Sequence, residues 1–109
     1  MAVVKTVVIV EFNVIPLGKG ISVSEFLAPA LKELDKLGVR YNITPMCTIF
    51  EAESVKKAFN VVRIAHETVF KAEVKRIVTT VRIDERRDVK KGRGMEEKVK
   101  SLKKAIKKT

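Results

Sequence analysis

Val7-Val8-Ile9-Val10-Glu11-Phe12-Asn13-Val14-Ile15-Pro16-Leu17-Gly18 is the stretch that decides the fold of this chain. From Val3 to Ile15 the residues are mostly β-branched and alternate in character, which predicts a strand and argues against a helix. Val4, Thr6, Val8, Val10, Phe12 and Val14 form one side, and Lys5, Val7, Ile9, Glu11 and Asn13 the other. The even side is the better core face, so Glu11 and Asn13 are expected on the face turned away from it. Pro16 and Gly18 then break the strand, close to a helix start at Ser22 or Ser24. A carboxylate and an amide beside such a break is one way to write a small-ligand pocket into a sheet.

Working outward, Val23, Phe26, Leu27, Ala30, Leu31, Leu34 and Leu37 recur at helical spacing, and Gly38 follows where a left-handed terminus is expected. Pro29 lies inside this helix and predicts a bend or a tightened first turn near Glu25 to Pro29. Val39 to Met46 reads as a second strand and Cys47 to Glu51 as a third, with Pro45 at an edge or bulge between them. Ser54 is a plausible N-cap for a second helix whose apolar face holds Val55, Ala58, Phe59, Val62, Ala65, His66, Val69 and Phe70. Val74 to Asp84 supplies a fourth strand, and Met95, Val99, Leu102 and Ile106 predict a third helix with a basic outer face.

The order strand, helix, strand, strand, helix, strand is the split βαβ, or ferredoxin-like, pattern. The expected fold is therefore α+β, a ferredoxin-like βαββαβ sandwich with an additional C-terminal helix. Residues 1–85 form the ligand-binding domain in this reading, 86–94 a polar linker, and 95–109 a basic helix of the same domain. One sheet face is left bare by the two helices, and such a surface commonly serves as a binding platform or a subunit interface.

Composition narrows the function classes. The 109 residues suit one domain. No apolar run approaches the roughly 20 residues of a membrane helix, and the N-terminal run makes a poor signal peptide because Lys5 and Glu11 interrupt it. Cytoplasmic residence is the resulting expectation. A lone cysteine, Cys47, excludes an intrachain disulfide and is read as a small semi-buried apolar residue. The net charge of +10 is unevenly spread: residues 1–85 hold 12 Lys/Arg against 10 Asp/Glu, whereas residues 86–109 hold 11 against 3. The body is thus nearly neutral and the basicity belongs to the tail.

Strand phasing turns Arg40, Asn42, Thr44 and Met46 of the second strand to the bare face, and Tyr41 and Ile43 to the core. Val78, Thr80, Arg82 and Asp84 of the fourth strand face outward, opposite Ile77, Thr79, Val81 and Ile83. Either Thr48 or Cys47 must join the bare face, whose apolar walls and few convergent polar groups suit a small molecule.

Six segments taken in order carry a family resemblance: Val10 to Gly18, Ser22 to Ser24, Tyr41 to Thr48, Ala65 to Glu67, Arg76 to Asp84, and the Arg-Arg-Asp that follows. Together they resemble the small thiamine-binding protein family, the YkoF-like proteins, from about Val7 to Leu102. The resemblance implies a ferredoxin-like fold, a homodimer often paired into a tetramer, and binding of thiamine or its hydroxymethylpyrimidine part without turnover, in a carrier, storage or sensor role. Family members usually carry Gly where this chain has Cys47. Phasing and resemblance together give the expected ligand residues Glu11, Asn13, Pro16, Leu17, Gly18, Ser22, Asn42, Thr44, Met46 and Thr48. Glu11 could accept from the aminopyrimidine or offset the thiazolium charge, the amides and hydroxyls offer neutral partners, and Pro16 to Gly18 offer backbone groups.

Three other classes compete with this reading. Nucleic-acid binding through the lysines of the C-terminal segment is the main alternative, although the sheet lacks an RNA-recognition aromatic pattern. Docking of the third helix on an anionic membrane is weakened by a narrow apolar stripe without an aromatic anchor. Enzyme chemistry finds no constellation. His66 reads as a core or interface histidine, and a Cys47–His66 pair has no local thiolate-stabilising pattern. Asp84, Glu85 and Asp88 lie among Arg86 and Arg87, which suggests ion pairing instead of a metal site. No catalytic residue, metal or cofactor is expected.

Overall fold

The computed structural model describes residues 7–18, 20, 23–88 and 94–108. Its elements follow the order β1 (Val8–Pro16), α1 (Ser24–Lys36), β2 (Tyr41–Ile43), β3 (Thr48–Ala52), α2 (Val55–Phe70), β4 (Ile77–Glu85) and α3 (Met95–Lys107). The four strands form one antiparallel sheet in the order β2-β3-β1-β4, the ferredoxin-like arrangement. Val3 to Thr6, the start of the expected first strand, lies outside the described residues.

Alternation along β1 does what the sequence predicts. Val8, Val10, Phe12 and Val14 are buried and form the centre of the core. Phe50 of β3 pairs with Val10 and meets Phe12 edge-on, with ring centroids 5.6 Å apart and planes at 75°. From the helix layer come Ala30, Leu31 and Leu34 of α1 and Ala58, Val61, Val62, Ala65 and Val69 of α2. Burying each of the larger side chains is worth roughly 1.5–3 kcal/mol, which holds the two layers together.

Local signals explain most element ends. The Ser54 hydroxyl accepts from the Lys57 N–H and caps α2. Gly38, at φ 73°, closes α1 with two bonds, Val39 N–H to the Leu34 carbonyl and Gly38 N–H to that of Asp35. That is the Schellman arrangement, and a left-handed residue without Cβ is what it requires. At the other end of α1 the Val23 carbonyl accepts from both Phe26 and Leu27, so the first turn is tightened ahead of Pro29. Pro29 lacks an N–H, and the helix nonetheless continues to Lys36.

Several sequence expectations are corrected. The second strand is only Tyr41–Ile43, because Thr44 to Cys47 make a tight turn with Pro45 inside it. Ile43 does pair with Thr48 on the helix side, yet no helix covers it and it is 68% exposed. Phe59 and Leu37, read as core residues, are exposed, and Val61 takes the place in α2 that Phe59 was given. Val74 is buried but precedes β4 in the connection from α2. The third helix buries none of its residues.

α3 meets the rest of the molecule mainly through polar contacts at its first turn. Glu51 on the open face of β3 accepts the Met95 N–H at 2.5 Å, placing a carboxylate at the positive end of the helix dipole. Arg40 donates to Glu96 at 2.7 Å, and Lys98 bonds Asp84. Beyond these anchors Val99, Leu102 and Ile106 are each more than half exposed. Among the described residues, no helix is long and apolar enough to cross a membrane.

Candidate functional site

α1 rests chiefly on α2, while α2 covers β1, β3 and β4. The first half of α1 therefore stands off the sheet at its β2–β3 end, and a cavity of about 630 Å³ opens there. Phe12, Val14, Leu27, Leu31, Ile43 and Met46 supply its apolar wall and Ser24, Thr44 and Thr48 its polar groups, while Asn13 and Cys47 border it from positions that alternate to the open face. This size and this mix of surfaces suit a drug-sized organic ligand.

Each polar group is held by its element. Thr48 opens β3 and faces the helix side opposite Phe12, only 3% exposed. Cys47, one residue earlier, points the other way, its Sγ 3.6 Å from Oε2 of Glu11 on the open face. Phasing thus places Cys47 beside Glu11, and Thr48 in the cavity wall. The Thr44 hydroxyl accepts from the Met46 and Cys47 N–H groups at 3.2 and 3.0 Å and donates to the Cys47 carbonyl at 2.9 Å. Its first task is to hold the turn that forms the cavity's outer lip.

The ten expected ligand residues divide. Asn13, Thr44, Met46 and Thr48 come together around the cavity. Glu11 lies just behind it on the open face, cross-strand from Arg82 and Ile49. Asn42 instead lines a smaller recess of about 410 Å³ with Arg40, Glu51 and Met95, under the start of α3. Pro16, Leu17 and Gly18 continue the β4 end of β1, where the Leu17 N–H bonds the Arg76 carbonyl at 2.9 Å, and they are not among the residues lining the cavity. Ser22 lies outside the described residues. The sequence reading missed Ser24, Leu27, Ala28 and Leu31, because it sought the site on the bare sheet face and assigned the apolar stripe of α1 wholly to the core.

Other candidate chemistry is accounted for by local partners. His66 Nδ1 lies 2.6 Å from Thr79 Oγ1, and its ring meets Phe70 edge-on at 4.9 Å. Thr79 belongs to β4 and Cys47 to the β2–β3 turn, at opposite edges of the sheet, so His66 and Cys47 do not form a pair. Arg86 holds Asp88 through two bonds of 2.6 and 3.1 Å, which keeps that carboxyl below its ordinary value. Arg87 pairs with Glu85 and Lys98 with Asp84, so each carboxylate of the cluster has a cationic partner. Burial, reinforced by the Asp35 carboxylate, raises the Tyr41 phenol above its ordinary value.

A family model described as thiamine-binding protein matches residues 10–103. This chain belongs to the thiamine-binding protein family. A UPF0045 protein of Methanothermobacter thermautotrophicus is 44% identical over 97 residues, covering 88% of this chain and 96% of the relative. Another from Staphylococcus xylosus is 43% identical over 103 residues, covering 90% and 94%. Among solved structures, a hypothetical protein of Methanocaldococcus jannaschii superposes with a TM-score of 0.77 at 33% identity, over 88% of this chain and 95% of that one. A Thermotoga maritima protein assigned as a candidate in thiamine biosynthesis or salvage shares the fold, with a TM-score of 0.72 at 24% identity over 88% and 98%. Family membership gives the chain a thiamine-related role.

Proposed function

We propose that this protein binds thiamine or its hydroxymethylpyrimidine part, without chemical turnover, in the cavity between α1 and the β2–β3 turn. The observation that carries the reading is the composition of that cavity in a member of this family: a largely apolar slot with Thr48 on the sheet, Thr44 on the turn and Ser24 on α1. A flat aminopyrimidine needs apolar surface for its faces and a few donors and acceptors for its edge. The Glu11 carboxylate behind Cys47 then offsets the charge of the thiazolium. A second copy on the open sheet face, in a homodimer that pairs again, belongs to the same reading, and the role is that of a carrier, store or sensor inside the cell.

The test is equilibrium dialysis against thiamine with the parent and with Ala28→Trp, which fills the cavity from the exposed side of α1. Saturable binding by the parent that is lost in the folded variant supports the site. Equal binding by both removes it.

A further inference from the structure

The cavity between α1 and the β2–β3 turn is walled by uncharged side chains: among the described residues that line it, none is Lys, Arg, Asp or Glu. A charge does touch that wall, and it is negative. Cys47 borders the cavity, and 3.6 Å behind its Sγ stands Oε2 of Glu11. Arg82 is cross-strand from Glu11, but it lies one strand further from the β2–β3 turn and on the open face, with the sheet between it and the cavity.

Two features would draw an anion in, and each is answered locally. α1 brings its N-terminus to the cavity, where Val23 and Ser24 line it, and the free N–H groups of a helix start favour negative charge. The first turn of α1 already carries Glu25, which sets a carboxylate against the same dipole. Lys32, further along α1, is exposed and is not one of the lining residues. A phosphate ester brings about two negative charges at neutral pH. Moved from water into an uncharged slot beside a carboxylate, it loses hydration and gains no cation in return. A neutral or cationic ring meets neither penalty, and the Ser24 and Thr48 hydroxyls suit its polar edge.

We infer, resting on the ligand site proposed above, that the cavity selects the unphosphorylated form of its ligand: a neutral or cationic heteroaromatic alcohol enters, and its phosphate esters are held out by the uncharged wall and by Glu11.

Calorimetric titration of the full chain with thiamine and with thiamine diphosphate, in one buffer at physiological salt, tests it. The parent is expected to bind the diphosphate at least about tenfold more weakly than thiamine. Met46 stands on the lip of the cavity and is 83% exposed, so Met46→Lys adds an ammonium there with little change of volume. That variant is expected to strengthen the diphosphate about tenfold and to weaken thiamine, whereas Met46→Gln, which removes the same apolar contact without adding charge, weakens both alike. Glu11→Gln shifts the ratio in the same direction as Met46→Lys, by about three- to tenfold. A parent that binds the diphosphate as tightly as thiamine overturns the inference and leaves the ligand site standing. So does a ratio that stays at the parent's value in both Met46→Lys and Glu11→Gln while circular dichroism shows the variants folded. A parent that binds neither ligand removes the site and the inference together.

Discussion

The Cys47 thiol lies 3.6 Å from the Glu11 carboxylate and joins the cavity wall on one side of the sheet edge to the open face on the other. A group entering beside Cys47 therefore comes under the influence of a carboxylate it need not touch. Neutralising that carboxylate in Glu11→Gln is expected to weaken thiamine, which carries a permanent positive charge, by about three- to tenfold, and its uncharged hydroxymethylpyrimidine fragment much less. Parallel calorimetric titrations of the two ligands check this. Equal losses for both ligands would show that Glu11 acts on the pyrimidine instead.

Cys47 itself gives a chemical readout, since it is the only cysteine. Bound thiamine is expected to slow its alkylation by iodoacetamide, and the carboxamidomethylated protein is expected to bind no ligand. Mass spectrometry of timed samples measures both.

Thr48 carries the prediction most specific to the cavity. Thr48→Val keeps the shape of a side chain that is 3% exposed while removing its hydroxyl. Affinity is expected to fall by roughly three- to tenfold, the worth of one neutral hydrogen bond, with stability changed by less than about 1 kcal/mol. Titration together with urea denaturation separates the two effects.

Tyr41 is the single tyrosine, and the chain has no tryptophan, so phenolate absorbance reports on one residue. Burial chiefly, and the nearby Asp35 carboxylate, raise its pKa above 10.0. The fold favours the neutral phenol. Tyr41 thus contributes stability that is fully present below pH 10 and is lost as pH rises through the higher folded-state value. Spectrophotometric titration should give a midpoint above 10, and Asp35→Asn should lower it.

Much of this was readable in the chain, for reasons that differ by element. β1 was legible because each of its positions alternates cleanly between core and open face, and α2 because Ser54 is a strong cap ahead of a regular apolar stripe. The phase of β3 was not. It depends on a turn that carries no Asn-Gly or Asp-Gly signal and is closed instead by the Thr44 side chain. The position of the cavity was hidden for another reason. It exists because α1 leans on α2 and leaves Ile43 uncovered at the sheet edge, a relation between elements that no local pattern records. Likewise the apolar spacing of α3 was visible, but the placement of its first turn follows from anchors on Glu51, Arg40 and Asp84, distant in sequence.

Calorimetric titration of unfolded and refolded protein with thiamine, its pyrimidine fragment and its phosphates tests the central claim most directly, because refolding strips any ligand carried through purification. The expected result is saturable binding near the micromolar range, about −8 kcal/mol, shared by thiamine and the fragment. Absence of heat with every one of these ligands would contradict the account.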